Sequence, residues 1–307
     1  MKKLSWTLAL SASLLLGACS MSPNGDSSSS DKAAKKSSDD MKIGMSISTL
    51  NNPFFVTLSD GAKAEAKKEN VDLTVVDAQD NASKQASDVE DLIQQDVDLI
   101  IINPTDSEAV ASAVESANDA NIPVITVDRS SEGGKVVSHI ASDNVKGGEM
   151  AGEYLKKLVG DGAKVAELEG VAGSSAARDR GEGFHKVADK GLDVVKKQTA
   201  NFNRSEGLSV MENILQSNPD IKGVFAHNDE MALGALEAIE ASGKDIKVVG
   251  FDATDDAQKA IKAGKMSATI AQKPTDIGEI AIETAVKSLN GEKVAKSIPV
   301  DLELIKK

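Results

Sequence analysis

Six phenylalanines occur in 307 residues, and two stand side by side in a polar stretch, Ser48-Thr49-Leu50-Asn51-Asn52-Pro53-Phe54-Phe55. Comparable concentrations of chemically capable residues recur along the chain. Asp128 adjoins Arg129, Arg180 closes the run Arg178-Asp179-Arg180, and Phe202 lies between two asparagines. Asn228 precedes Asp229, Phe251 precedes Asp252, and Gln272 stands two residues before Pro274. This set suits a ligand that presents a ring of hydroxyls on a weakly apolar skeleton. Carboxylates such as Asp128 and Asp252 accept hydrogen bonds, while the guanidinium groups of Arg129 and Arg180 donate in a planar fork. The amides of Asn52, Asn228 and Gln272 do both. Phe54, Phe55, Phe202 and Phe251 offer flat apolar surface to the C–H face of a ring.

Taken singly, each residue has a plainer reading. Asn52 and Asn228 suit helix N-caps. Phe54 and Phe55 suit the first turn of a core helix, and the Asp–Arg neighbours suit exposed ion pairs. What distinguishes them is their position relative to the elements. Runs of β-branched residues predict strands at 42–48, 73–76, 99–102, 124–128, 164–168, 194–198, 224–226, 248–252 and 268–270. Between them apolar residues recur at helical spacing, as in Phe55, Leu58, Ala62 and Ala66, or Val89, Leu92 and Ile93. Strand and helix alternating every ~25–30 residues predict βαβ units, and so a doubly wound α/β fold with two parallel sheets. In such sheets ligands bind beyond the carboxyl ends of the strands. The residues singled out above all fall at those ends, which predicts one ligand cleft.

The remaining signals bound the function. Lys2 and Lys3 precede an apolar run, 8–16, that ends in Leu16-Gly17-Ala18-Cys19. This predicts a lipoprotein signal peptide over 1–19, with Cys19, the single cysteine, as the lipidated residue. Residues 20–40 hold almost no large apolar side chain and predict a disordered tether. The rest is long enough for two domains. A net charge of −13 argues against nucleic acid. His139, His185 and His227 are isolated and show no metal-ligand spacing, so no metal is expected. No phosphate-loop, dinucleotide or nucleophile-elbow motif is present, so no cofactor is expected.

The motifs STLNNPFF, INPTDS, ANIPVITVDR, VVSHIASDNV, GSSAARDRGEGF, FAHNDEMALGAL, VVGFDAT and ATIAQ, in that order, carry a resemblance. Over nearly all of 41–307 the chain resembles the ribose-binding family of bacterial ABC sugar importers, within the type I periplasmic-binding-protein superfamily. The resemblance implies two lobes, 41–142 plus 275–299 and 143–274 plus 300–307, joined by three chain crossings and closing over a sugar. The implied sugar contacts are Asn52, Phe54, Phe55, Asp128, Arg129, Arg180, Phe202, Asn228, Phe251, Asp252 and Gln272, with Ser48 at the start of the same motif. It also implies an ABC permease as partner, a monomer, no enzymatic activity, and an extracytoplasmic position on the membrane. His227 departs from the family pattern, where glutamine often stands.

Three other functions fit parts of this pattern. A LacI-like regulator shares the two-lobed body but needs an N-terminal helix-turn-helix, where this chain has a lipobox. A glycosidase would need Asp128 and Asp252 to flank a bond with one of them protonated; Arg129 and Arg180 are expected to keep both ionised. Binding of another small sugar (allose, galactose or a furanose-like signalling molecule) is the nearest competitor to ribose.

Overall fold

The central parallel strands are short and apolar on both sides, and their pleat explains why. In Leu99-Ile100-Ile101-Ile102, Leu99 and Ile101 join one buried cluster while Ile100 and Ile102 join another. A strand buried on both faces reads as an unbroken apolar run. The computed structural model describes residues 41–307; the expected signal peptide, Cys19 and the tether lie outside the described residues.

The first sheet is built from β1 (Lys42–Ile47), β2 (Asp72–Asp77), β3 (Leu99–Ile102), β4 (Val124–Val127) and β5 (Val136–Ser142), with α1 (Pro53–Lys68), α2 (Ala82–Gln94) and α3 (Ala111–Asp119) between them. The second is built from β6 (Ala163–Glu169), β7 (Leu192–Thr199), β8 (Gly223–Ala226), β9 (Lys247–Asp252) and β10 (Ala268–Ala271). Its helices are α4 (Asn144–Val159), α5 (Ser175–Ala188), α6 (Arg204–Ser217), α7 (Asp229–Ser242) and α8 (Asp255–Ala263). The chain then returns through α9 (Pro274–Leu289) and β11 (Ser297–Val300) to the first sheet, and through β12 (Glu303–Lys306) to the second.

Strand order is β2-β1-β3-β4-β5-β11 in one sheet and β7-β6-β8-β9-β10-β12 in the other. All pairings are parallel except β10 with β12. The chain passes between sheets at Asp143, at Gln272–Lys273 and at Asp301–Leu302. In each sheet the order reverses beside the strand that enters first, β1 or β6, and this opens the crevice in which such folds hold ligands.

Three of these strands are not predicted by the apolar runs. β5 reads Val-Val-Ser-His-Ile-Ala-Ser, whose polar residues break the run. β11 contains Pro299, which cannot donate to a ladder and is confined to edges; β11 is an edge strand. β12 carries one lysine and one glutamate in four residues and forms the other sheet's edge.

Helix packing positions the site. α4 and α5 meet backbone to backbone: a Cβ on Gly148 would overlap the Arg180 carbonyl oxygen, and one on Gly183 would overlap the Val145 carbonyl oxygen. Only glycine permits this approach, and it fixes the turn of α5 that bears Arg180. Gly148→Val should therefore cost about 1–3 kcal/mol by overpacking. Urea unfolding would show this as a lower midpoint with an unchanged slope.

Candidate functional site

The first sheet supplies one half of the site. Asn52 caps α1, its Oδ1 accepting from the Phe54 N–H at 2.9 Å, with Pro53 at the first helical position. That cap orients Phe54 and Phe55, which pack edge to face with centroids 5.2 Å apart. Both are buried, so the aromatic pair is not solvent-facing surface. Asp128 follows β4 with a left-handed φ of 62°. Its N–H donates to the Ile140 carbonyl at 2.9 Å, and Asn103 Nδ2 reaches its Oδ2 at 3.4 Å. Arg129 is anchored by Nη1 on the Pro104 carbonyl at 3.1 Å, and its Nε lies 3.6 Å from Asp128 Oδ2.

The second sheet supplies the other half. Arg180 donates from Nε to Asn144 Oδ1 at 2.8 Å and from Nη1 to the His227 carbonyl at 2.6 Å. Its guanidinium carbon sits 3.8 Å from the Phe251 centroid, and Nη1 lies 3.9 Å from Asp252 Oδ1. Gln272 Nε2 donates to Asp252 Oδ1 at 2.9 Å. Asn228 caps α7 through Oδ1 and donates from Nδ2 to the Phe202 carbonyl at 3.2 Å. Phe202 lies directly over Gly170, where any Cβ would strike its ring. Arg129 closes the assembly: its guanidinium is 5.1 Å from the Phe55 centroid and 5.2 Å from that of Phe202, on the opposite lobe.

Together these groups line one small, tight cavity. From the first lobe it is lined by Asn52, Phe54, Phe55, Asp128 and Arg129; from the second, by Arg180, Phe202, Asn228, Asp252 and Gln272, with Ala176. Ten of the twelve residues read from the sequence thus converge. The two that do not line it lie behind. Ser48 is fully buried and donates its N–H to Asn103 Oδ1 at 3.1 Å. Phe251 is fully buried in β9, on the face that packs against α4, and supports Arg180 from beneath. Ala176 gave no signal in the sequence, because a small apolar residue has no chemistry of its own.

Among the described residues, buried Asp128 Oδ1, Arg129 Nε and Gln272 Oε1 find no hydrogen-bond partner in the protein. Two acceptors and a donor held this way around one cavity match a ligand with hydroxyls of both senses, since unpaired buried polar groups are costly. Backbone strain gathers at the same place. Of ten non-glycine residues with positive φ among those described, seven end or follow β2, β4, β7 or β9: Gln79, Asp80, Asp128, Asn201, Phe202, Asp252 and Ala253.

Burial governs the charges. It pulls both guanidinium groups down from their ordinary pKa, against the opposing pull of Asp128 on Arg129 and of Asp252 on Arg180. Burial pushes the Asp252 carboxyl up to about 7, and Arg180 and the Gln272 amide only partly offset this. The expectation that arginine would keep this carboxylate firmly ionised is corrected here: at 3.9 Å Arg180 is too far to cancel desolvation. Among the described residues no group of three or more His, Cys, Asp or Glu side chains is arranged to hold a metal.

Two supporting groups were not recognised from the sequence. Asn103 braces the ends of β1 and β4 at once, accepting from Ser48 and donating to the Val127 carbonyl and Asp128. Glu167, fully buried, joins His227 Nε2 and His185 Nε2, each at 2.9 Å. Gly170 N–H points to His227 Nδ1 at 3.4 Å. His227, the departure noted above, thereby presents its carbonyl to Arg180.

The family model for the periplasmic binding protein domain matches residues 43–293. The ribose import binding protein RbsB of Bacillus subtilis (strain 168) is 57% identical over 303 residues, 99% of this chain and 98% of that protein. An ABC transporter solute binding protein from Bacillus halodurans C-125 with bound myo-inositol superposes with a TM-score of 0.84 at 36% identity, covering 89% of this chain and 96% of that one. A periplasmic solute binding protein from Actinobacillus succinogenes 130z with bound D-allose gives 0.81 at 33% identity, covering 87% and 97%.

The Glu167–His185 pair makes a signed prediction. Burial opposes both charges. For His185, the Asp189 hydrogen bond and then Glu167 outweigh it and raise the imidazole above 6.5; for Glu167, the two histidines outweigh it and hold the carboxyl below 4.5. The His185 contribution to stability is complete below the unfolded value of 6.5 and is lost as pH rises through the raised folded value. His185→Gln should therefore destabilise the protein more in urea unfolding below 6.5 than well above the raised folded value. The Glu167 contribution is lost at the acid end instead.

Proposed function

The chain belongs to the periplasmic binding protein family, and from that premise we propose that it is the sugar-capturing component of an ABC importer, with D-ribose as its ligand. The observation that carries this reading is one small cavity lined by Asp128, Arg129 and Gln272, whose Oδ1, Nε and Oε1 are buried without a partner, beside Phe54, Phe55 and Phe202. A hydroxylated ring satisfies those atoms and presents its C–H faces to the aromatics. The name of the Bacillus subtilis relative supports ribose within that class.

Capture proceeds by closure. Each lobe carries its own Asp–Arg pair, and a sugar bridging both shifts the population toward the closed form. Contacts outside the cavity join the lobes in that form. Ser107 N–H donates to the Gly173 carbonyl at 2.9 Å, Ser130 N–H to Ser175 Oγ at 2.9 Å, and Arg178 pairs with Glu132. The closed body then engages a membrane permease and releases the sugar. The protein works as a monomer tethered on the extracytoplasmic face of the membrane through a lipid on Cys19 and the 20–40 segment. It binds without turnover: Asp252 is engaged by Gln272 and Asp128 by Arg129, both acting as acceptors for ligand hydroxyls.

A second reading, a six-carbon sugar or polyol, is favoured by the allose- and inositol-bound neighbours. The small cavity, narrowed by the rings of Phe54, Phe55 and Phe202, favours the pentose.

Ribose should raise the melting temperature, by ~2.7 kcal/mol of stabilisation at a hundredfold excess over Kd. A panel of ribose, allose and myo-inositol checks it; a response to a hexose with none to ribose transfers the function to the second reading. Arg180→Ala should weaken ribose binding by ~2–5 kcal/mol in calorimetry, because it leaves Asp252 buried without its cation. Affinity should also depend on pH. A ligand hydroxyl donates to ionised Asp252, so ribose binding should strengthen as pH rises through about 7 and level off above it. Asp252→Asn should flatten that profile.

A further inference from the structure

Asp252 holds its carboxylate in the cavity from a backbone that resists being there. Its φ is 113° and that of Ala253 is 57°, two consecutive left-handed residues, neither of them glycine. Strain of this kind persists only where neighbouring groups over-determine it. Gln272 holds the side chain, but it does not hold the turn.

The turn is held from behind, by a carboxylate that touches no cavity surface. Asp229 opens α7 and is fully buried. Its Oδ2 accepts from the Thr254 N–H at 2.8 Å and the Thr254 hydroxyl at 3.3 Å. Its Oδ1 accepts from the Thr269 hydroxyl at 2.7 Å, and that hydroxyl in turn accepts from the Ala253 N–H at 3.2 Å. The two amides that follow Asp252 are thus tied, one directly and one through Thr269, to a single side chain. Space for that side chain is made by Gly250 on β9, where a Cβ would overlap Asp229 Oδ1. The ends of β8, β9 and β10 are joined through it.

A buried carboxylate beside Asp252 is unfavourable on charge grounds alone: burial, then the charge of Asp252, pushes Asp229 well above the ordinary carboxylate range. An alanine or a leucine would be the cheaper occupant of an inert core position.

We propose that Asp229, relayed by Thr269, is a positioning residue for ligand capture: it holds the 252–254 turn so that Asp252 presents its carboxylate to the sugar. This rests on the reading of the cleft as a sugar site.

The test measures ribose affinity by calorimetry and stability by urea unfolding on the same preparations of wild type, Thr269→Val, Thr269→Ser, Asp229→Asn and the double variant Thr269→Val/Asp252→Asn. Thr269→Val keeps the shape and removes the relay; it should lose about tenfold in affinity, the scale of one released strained residue. Thr269→Ser restores the hydroxyl and should recover most of that loss, and Asp229→Asn should lose affinity in the same direction as Thr269→Val. In the Asp252→Asn background the valine substitution should cost little further affinity while its effect on stability persists, because the relay acts on binding only through Asp252. Wild-type affinity in Thr269→Val, or an undiminished loss in the Asp252→Asn background, overturns the proposal while leaving the sugar site intact. A wild-type protein that binds no ribose removes the functional reading and this one with it.

Discussion

The structure turns on two aspartate–arginine pairs buried in one small cavity. Asp128 with Arg129 belongs to one lobe and Asp252 with Arg180 to the other; all four side chains are at most 5% exposed. Neither pair is close, at 3.6 and 3.9 Å, so neither recovers by direct attraction what burial costs it. The fold meets the deficit with neutral partners: peptide carbonyls under Arg129 and Arg180, amides on Asp128 and Asp252, and phenyl faces against both guanidinium groups. What it leaves unpaired is one oxygen of Asp128, the Nε of Arg129 and, beside Asp252, the oxygen of Gln272.

The two halves solve the same problem with different side chains. Each pocket aspartate sits at a strand end with positive φ, where its carboxylate can leave the plane of the sheet. Behind Asp128 stands a neutral amide, Asn103; behind Asp252 stands a second carboxylate, Asp229. Gln272 adds a link that the first half lacks, because it lies on the passage between sheets and also bonds Asp252. The Asp252 carboxylate and one strand of the hinge are therefore in direct contact.

Much of this was legible in the sequence because period and position are local signals. Nine strands announced themselves as apolar runs, and the residues that converge on the cavity did so by standing just past them. What escaped did so for stated reasons. Pro299 and the polar residues of Val136–Ser142 disguise edge or interrupted strands. Phe251 was read with Asp252 as a ligand contact, yet the pleat turns it toward the face of Val249, into the core with Phe184 and Phe225. Asn103 and Asp229 could not be told from turn residues or helix caps, nor Glu167 from a polar strand residue, because their partners lie 18 or more positions away. A buried polar brace is a property of tertiary structure, and no window of sequence contains both its ends.

The interleaving of the lobes also dictates an order of assembly. Residues 144–271 supply five of the six strands of the second sheet in one unbroken stretch, so that half collapses as soon as it is synthesised. The first half has no such independence: α1 packs on α9, more than 200 positions later, and β5 waits for β11. Its interior stays open until α9 and β11 arrive, so the half that begins first is the half that closes last.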